Sequence, residues 1–136
     1  MPRFLLSLVR PDALVFVGEV EQVDLPGAEG DMGVLAGHAP IVTILRPGIV
    51  RVISDGQDEK FVVMGGVAEY SNEELTVLAN AADRIEEFDV AGLKADIDER
   101  ERNLPTMEIG QELDREIELI DHYKTLHQSL TVTTAL

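Results

Sequence analysis

At 136 residues, with a formal net charge of −15 and no cysteine, the chain makes one domain of ordinary size or a domain with an appendage, and has no disulfide, thiolate metal site or thiol nucleophile. The surplus of acid disfavours direct binding to nucleic acid or to an anionic membrane surface, since both are polyanions. The apolar run from Phe4 to Val9 is interrupted by Ser7 and closed by Arg10-Pro11, too short for a signal-peptide core, and no segment approaches a transmembrane span, so a soluble chain is expected.

The first predicted element is a strand in which Phe4, Leu6 and Leu8 alternate with Leu5, Ser7 and Val9. Leu14 to Val17 is an apolar run before Gly18, and Val23 and Leu25 alternate with Gln22 and Asp24. Next comes a glycine-dense stretch from Pro26 to Pro40, with Gly27, Gly30, Gly33 and Gly37 beside Glu29, Asp31 and His38. Glycine density of this kind marks backbone with positive φ or a close approach to another surface. No Lys-Ser or Lys-Thr step into a helix follows, and two acids would repel a phosphate, so a P-loop is excluded. The stretch reads as a shaped, negatively charged loop between strands, suited to docking more than to chemistry.

Ile41 to Leu45 then leads to a turn at Pro47-Gly48. Ile49 to Ser54 and Phe61 to Met64 flank Asp55-Gly56 as a hairpin, Gly65-Gly66 breaks the chain again, and Leu75 to Ala79 supplies the last strand. Many short strands at regular spacing predict a sandwich or barrel, and with only six aromatic residues its core must be aliphatic.

The composition changes near residue 86, after which only Gly92, Gly110 and Pro105 break acidic, amphipathic segments. The reading is a β-rich body over residues 1–86 and a helical hairpin over 87–136. Leu93, Ile97 and Leu104 recur at helical spacing, and Asp96 and Asp98 stand four residues before Arg100 and Arg102. Pro105 stops or kinks that run. A second stripe follows in Leu113, Ile117, Ile120 and Tyr123, broadened by Leu119, Leu126 and Leu130, with Thr131 to Thr134 expected to fray.

His38 with Glu29 and Asp31 invites a metal site or a general base, but the spacing matches no ligand motif and a structural or interface role is preferred. Val34 and Leu35 are assigned to the core, and no metal or cofactor is expected.

The order Pro26-Gly27, Gly30, Gly33-Val34-Leu35, His38-Ala39-Pro40, Leu45 and Gly48, then Gly65-Gly66-Val67-Ala68-Glu69 and Leu75-Thr76-Val77-Leu78-Ala79, resembles the epsilon subunit of F-type ATP synthases over most of residues 4–86. The resemblance implies an N-terminal β-sandwich, a C-terminal α-helical hairpin and a non-catalytic place in the rotating central stalk. It further implies binding to the gamma subunit and to the c-ring of Fo, and a position on the cytoplasmic face of the bacterial inner membrane, with membrane association only through the complex. Glu29, Asp31, Met32 and His38 carry over as c-ring or gamma interface residues, Met32 being equally readable as core. The hairpin is the possible contact to the alpha and beta catalytic subunits.

Two departures bear on regulation. Family members that bind ATP use Ile/Leu-Asp-x-x-Arg-Ala at the start of the hairpin; here Asp89 is kept as the candidate ATP-binding residue, but Gly92 replaces the arginine, which predicts weak or no ATP binding. Residues 87–136 hold five Lys or Arg against twelve Asp or Glu, which opposes docking of the hairpin onto acidic segments of the catalytic subunits. The alternatives are a free-standing nucleotide- or ligand-sensing regulatory domain, and a small hydrolase built on His38, for which no nucleophile or complete triad is visible.

Overall fold

A computed structural model describes residues 1–135, with side chains as far as residue 132. Eight strands come first: β1 (Phe4–Arg10), β2 (Ala13–Val20), β3 (Gln22–Gly27), β4 (Gly30–Leu35), β5 (Ile41–Ser54), β6 (Gln57–Ser71), β7 (Glu74–Ala79) and β8 (Ala82–Arg84). Two helices follow, α1 (Val90–Asn103) and α2 (Gln111–Ala135). The chain divides into two compact units, Met1–Phe88 and the residues from Asp89 onward.

The strands pair in the order β2-β1-β7-β6-β5-β3-β4, with β8 added to β6, and every pairing is antiparallel except β1 with β7. The long strands β5 and β6 serve two layers. Their segments 41–45 and 66–71 lie with β7, β1 and β2, while 47–54 and 57–64 lie with β3, β4 and β8, which makes a β-sandwich. Side chains alternate across each strand, so Phe4, Leu6 and Leu8 of β1 are buried together with Val23 and Leu25 of β3. Phe16 of β2 meets Phe61 of β6 edge-on at 5.8 Å, from one layer to the other.

Three expectations are corrected by this topology. Pro47-Gly48 and Gly65-Gly66 do not end strands; they stand opposite one another inside β5 and β6, with Leu45 paired to Gly66 and Pro47 to Met64. Each strand bends from one layer into the other there. At Gly66 φ is +144° and a Cβ would run into the Leu78 carbonyl of β7, so only glycine fits the bend. The stretch from Pro26 to Pro40 is not mainly loop: β3 and β4 pair through it, from Gln22 with Leu35 to Gly27 with Gly30. The hairpin at Asp55-Gly56 forms as expected, with φ of 54° and 73° at its two central residues.

In the second unit, Asp89 caps α1 by accepting from the Gly92 N–H at 2.9 Å. Leu93 and Ile97 of α1 and Ile120, Leu126 and Leu130 of α2 are buried. Arg100 bridges to Glu116 at 2.9 Å and Lys124 to Glu101 at 2.9 Å, tying the helices into a hairpin. Pro105 lies in the short 3-10 turn that ends α1. Asp96 pairs with Arg100 as expected, but Asp98 takes Lys94 at 2.8 Å in place of Arg102, and Ile117 is exposed. The helical assignment of α2 includes Thr131, whose hydroxyl donates to the His127 carbonyl at 3.1 Å.

Candidate docking surfaces

An antiparallel sheet with one face on a core usually turns polar residues outward. The layer of β2, β1, β7, β6 and β5 departs from this. Its register places Ile44 beside Val67, Val67 beside Leu78, Leu78 beside Val9 and Val9 beside Leu14, an apolar row crossing five strands. Ile44 is 67% exposed, Leu14 59% and Leu78 56%, and Val9 is half-buried. The adjacent row runs from Val42 through Glu69, Thr76 and Ser7 to Val17, apolar only at its ends. Single exposed aliphatic residues mean little, whereas an aligned row of them is a candidate docking surface.

A second region is built by the β3–β4 hairpin and the loop after it. Glu29 lies in the two-residue turn between the strands and is exposed. Asp31 is exposed on β4 and forms an ion pair with Arg46 of β5, whose guanidinium also donates to the Gly27 carbonyl. Arg46 therefore ties both strands of the hairpin to β5. Met32 is half-buried and packs against the core of the sandwich. Val34 is fully buried as expected, whereas Leu35 is exposed and does not join the core.

His38 follows a tight turn in which its N–H donates to the Leu35 carbonyl at 3.1 Å. Gly37, with φ of +83°, takes the third position of that turn, where a type II geometry calls for glycine. The His38 ring is half-buried and meets the Tyr70 ring edge-on at 5.7 Å. Its Nδ1 is 2.6 Å from the Ala39 carbonyl oxygen, which can only accept, so Nδ1 is the donor of that bond.

The Gly37 N–H has two acceptors, the Tyr70 hydroxyl at 3.2 Å and the Glu73 carboxylate at 3.1 Å. Burial pushes the Tyr70 hydroxyl pKa up from 10.0; the Gly37 N–H opposes this and the Glu73 carboxylate adds to it.

Glu29, Asp31 and Met32 thus share one hairpin, while His38 stands beyond the far end of β4, roughly 20 Å of strand away from the hairpin turn. Sequence reasoning missed Arg46 of β5, Tyr70 of β6 and Glu73 of the turn after β6, which fix these segments from elsewhere in the chain. Asp89, on the second unit, has its carboxylate engaged as the α1 cap, and a Cβ at position 92 would press against that carboxylate. Among the described residues no group of three or more His, Asp and Glu side chains is placed to hold a metal ion.

The model of the "ATP synthase, Delta/Epsilon chain, beta-sandwich domain" family matches residues 3–85. The chain is 52% identical over 135 residues to the ATP synthase epsilon chain 2 of Nitrobacter hamburgensis, covering 99% of each sequence. It is 48% identical over 133 residues to the ATP synthase epsilon chain of Rhodopseudomonas palustris strain BisB5, covering 98% of each. Among solved structures it resembles a chain of the Euglena gracilis mitochondrial ATP synthase, in a structure of OSCP, F1 and c-ring. That likeness has a TM-score of 0.77 and 26% identity, and covers 94% of this chain and 81% of the other. A chain of the Tetrahymena thermophila mitochondrial ATP synthase central stalk and c-ring has the same fold, with a TM-score of 0.64 and 12% identity, covering 93% of this chain and 95% of the other.

Proposed function

This chain belongs to the epsilon-chain family of ATP synthases, and we propose that it is the non-catalytic rotor subunit that couples rotation of a proton-driven c-ring, through gamma, to ATP synthesis. The observation that carries this reading is the apolar row from Ile44 to Leu14, which gives the sandwich one broad face to press against gamma. Apolar burial there supplies most of the affinity, because exposed ion pairs contribute only about 0–1 kcal/mol each. Glu29, Asp31 and Met32 on the β3–β4 hairpin, and His38 in the loop beyond the far end of β4, are two separate segments assigned here to the contact with the c-ring. A close-packed sandwich suits this position, since it transmits torque without bending.

Among the described residues no helix is long and apolar enough to cross a membrane. Attachment to the cytoplasmic face of the inner membrane then runs through the complex. Asp89 as a helix cap, with no arginine at position 92, supports weak or no ATP binding by the hairpin unit.

The test is co-purification of gamma with the chain carrying Ile44→Asp and Leu78→Asp together. Both side chains are exposed, so thermal unfolding of the isolated variant is expected to match the parent. Recovery of gamma should fall by about tenfold or more, since two charges would have to be buried in an apolar contact. Full recovery of gamma by a folded double variant would falsify the assignment of this face.

A further inference from the structure

The turn between β6 and β7 holds a residue in a conformation that does not suit it. Asn72 and Glu73 both have positive φ, 51° and 60°, the signature of a type I′ turn. Asn suits the first of these positions and Gly the second. Glu73 has a Cβ and is therefore strained there. Its side chain does not bond within the turn's own backbone. Oε1 reaches instead to the loop after β4, accepting from the Gly37 N–H at 3.1 Å, and also accepts from the hydroxyl of Tyr70 on β6 at 3.3 Å.

The Gly37 N–H is thus shared between the carboxylate and the Tyr70 hydroxyl, 3.2 Å away. The Tyr70 ring in turn meets His38. From its own segment the loop backbone has the turn bond from the His38 N–H to the Leu35 carbonyl and the contact of His38 Nδ1 with the Ala39 carbonyl, neither of which engages the Gly37 N–H.

We propose that Glu73 is a positioning residue that holds Gly37 directly, and His38 through Tyr70, in the conformation in which the loop meets its partner. Strained backbone persists where the surroundings over-determine it, and here the carboxylate bonds do so. A loop held only by its own turn would have to be ordered on binding, which lowers affinity. The partner in this statement is the c-ring, so the functional half rests on the reading given above. If Glu73 were merely a solvated acid, replacing it with glycine would relieve the turn and leave the loop unaffected.

That contrast defines the experiment. In the full chain, Glu73→Gly is expected to keep or raise the melting temperature, because glycine fits the turn. The same change should accelerate hydrogen exchange at the Gly37 and His38 amides by about tenfold or more, as a bond to a charged acceptor is lost. Glu73→Gln keeps an oxygen at the same reach and should retain most of the protection. In the assembled ATP synthase, Glu73→Gly should lower the protons pumped per ATP hydrolysed, with Glu73→Gln close to the parent. Unchanged exchange at Gly37 in Glu73→Gly would overturn the brace. Accelerated exchange with full pumping would uphold the brace and overturn the ring-facing reading of the loop.

Discussion

Tyr70 shows how much a single residue contributes when its two ends face different neighbours. Its ring is 5.6 Å from Phe4 and 5.7 Å from His38, both edge-on, while the hydroxyl stands at the sheet end with Gly37 and Glu73. Burial raises its pKa above 10.0, so the folded chain holds the phenol proton longer than the unfolded chain does. A raised pKa contributes stability that is intact below the unfolded value and lost as pH rises from there through the folded value. Tyr70→Phe should therefore cost about 1 kcal/mol near neutrality, from lost hydrogen bonds. It should also lose less stability than the parent between about pH 9 and pH 11, since one titration is gone. Tyr123 has its pKa raised as well, yet it titrates in both proteins and cancels. Parallel melting curves across that range, with the two proteins falling equally, would show that Tyr70 does not drive the alkaline limb.

At this scale Asp31 and His38 were legible as residue types in a glycine-rich frame. Their partners were not, because Arg46 is 15 positions from Asp31, and Tyr70 and Glu73 are 33 and 36 positions from Gly37. Local pattern carries no information about a bond across strands.

For whole elements, short-range chemistry was readable and layer changes were not. Alternation in Phe4, Leu6 and Leu8, the Asp55-Gly56 turn and the stop at Pro105 each depend on neighbours within a few residues, and each forms as read. Pro47-Gly48 and Gly65-Gly66 carry the same breaker residues as a true turn. Whether the chain reverses there or bends onward is decided by pairing between β5 and β6, which lies outside any local window. The ion pairs of α1 show a related ambiguity: Lys94 and Arg102 both stand four residues from Asp98, and the structure selects Lys94.

Gly66→Ala puts the bend to the test. Its Cβ would overlap the Leu78 carbonyl at a φ of +144°, so destabilisation of about 3 kcal/mol is expected in urea unfolding. A change below about 1 kcal/mol would mean that the bend relaxes around a methyl group. Asp89→Ala removes the α1 cap and should cost about 1 kcal/mol, confined to the second unit. Faster amide exchange in the first turn of α1, with β6 unchanged, is the expected pattern; equal loosening of both would contradict a local role.

Over the molecule as a whole, the acidity was plain from composition, but the disposition of the bases was not. In residues 1–88 there are six Lys or Arg against fifteen Asp or Glu, and Arg3, Arg10, Arg46, Arg51 and Arg84 each pair with an acid. From Asp89 onward there are five against eleven, and Lys94, Arg100 and Lys124 pair with acids of the same helices. Most cations are already matched, so the field beyond both units is negative. A hairpin of this charge would be repelled by any acidic surface it met. The buried apolar cluster of the first unit is drawn entirely from residues 4–82, which makes the sandwich self-sufficient. Removing residues 87–136 is therefore expected to leave a folded chain that still co-purifies with gamma. ATP hydrolysis by the assembled enzyme should change by less than about twofold, because an electrostatically disfavoured insertion has little inhibition to release. Steady-state hydrolysis before and after truncation measures this, and a several-fold rise would show that the hairpin restrains the enzyme in spite of its charge.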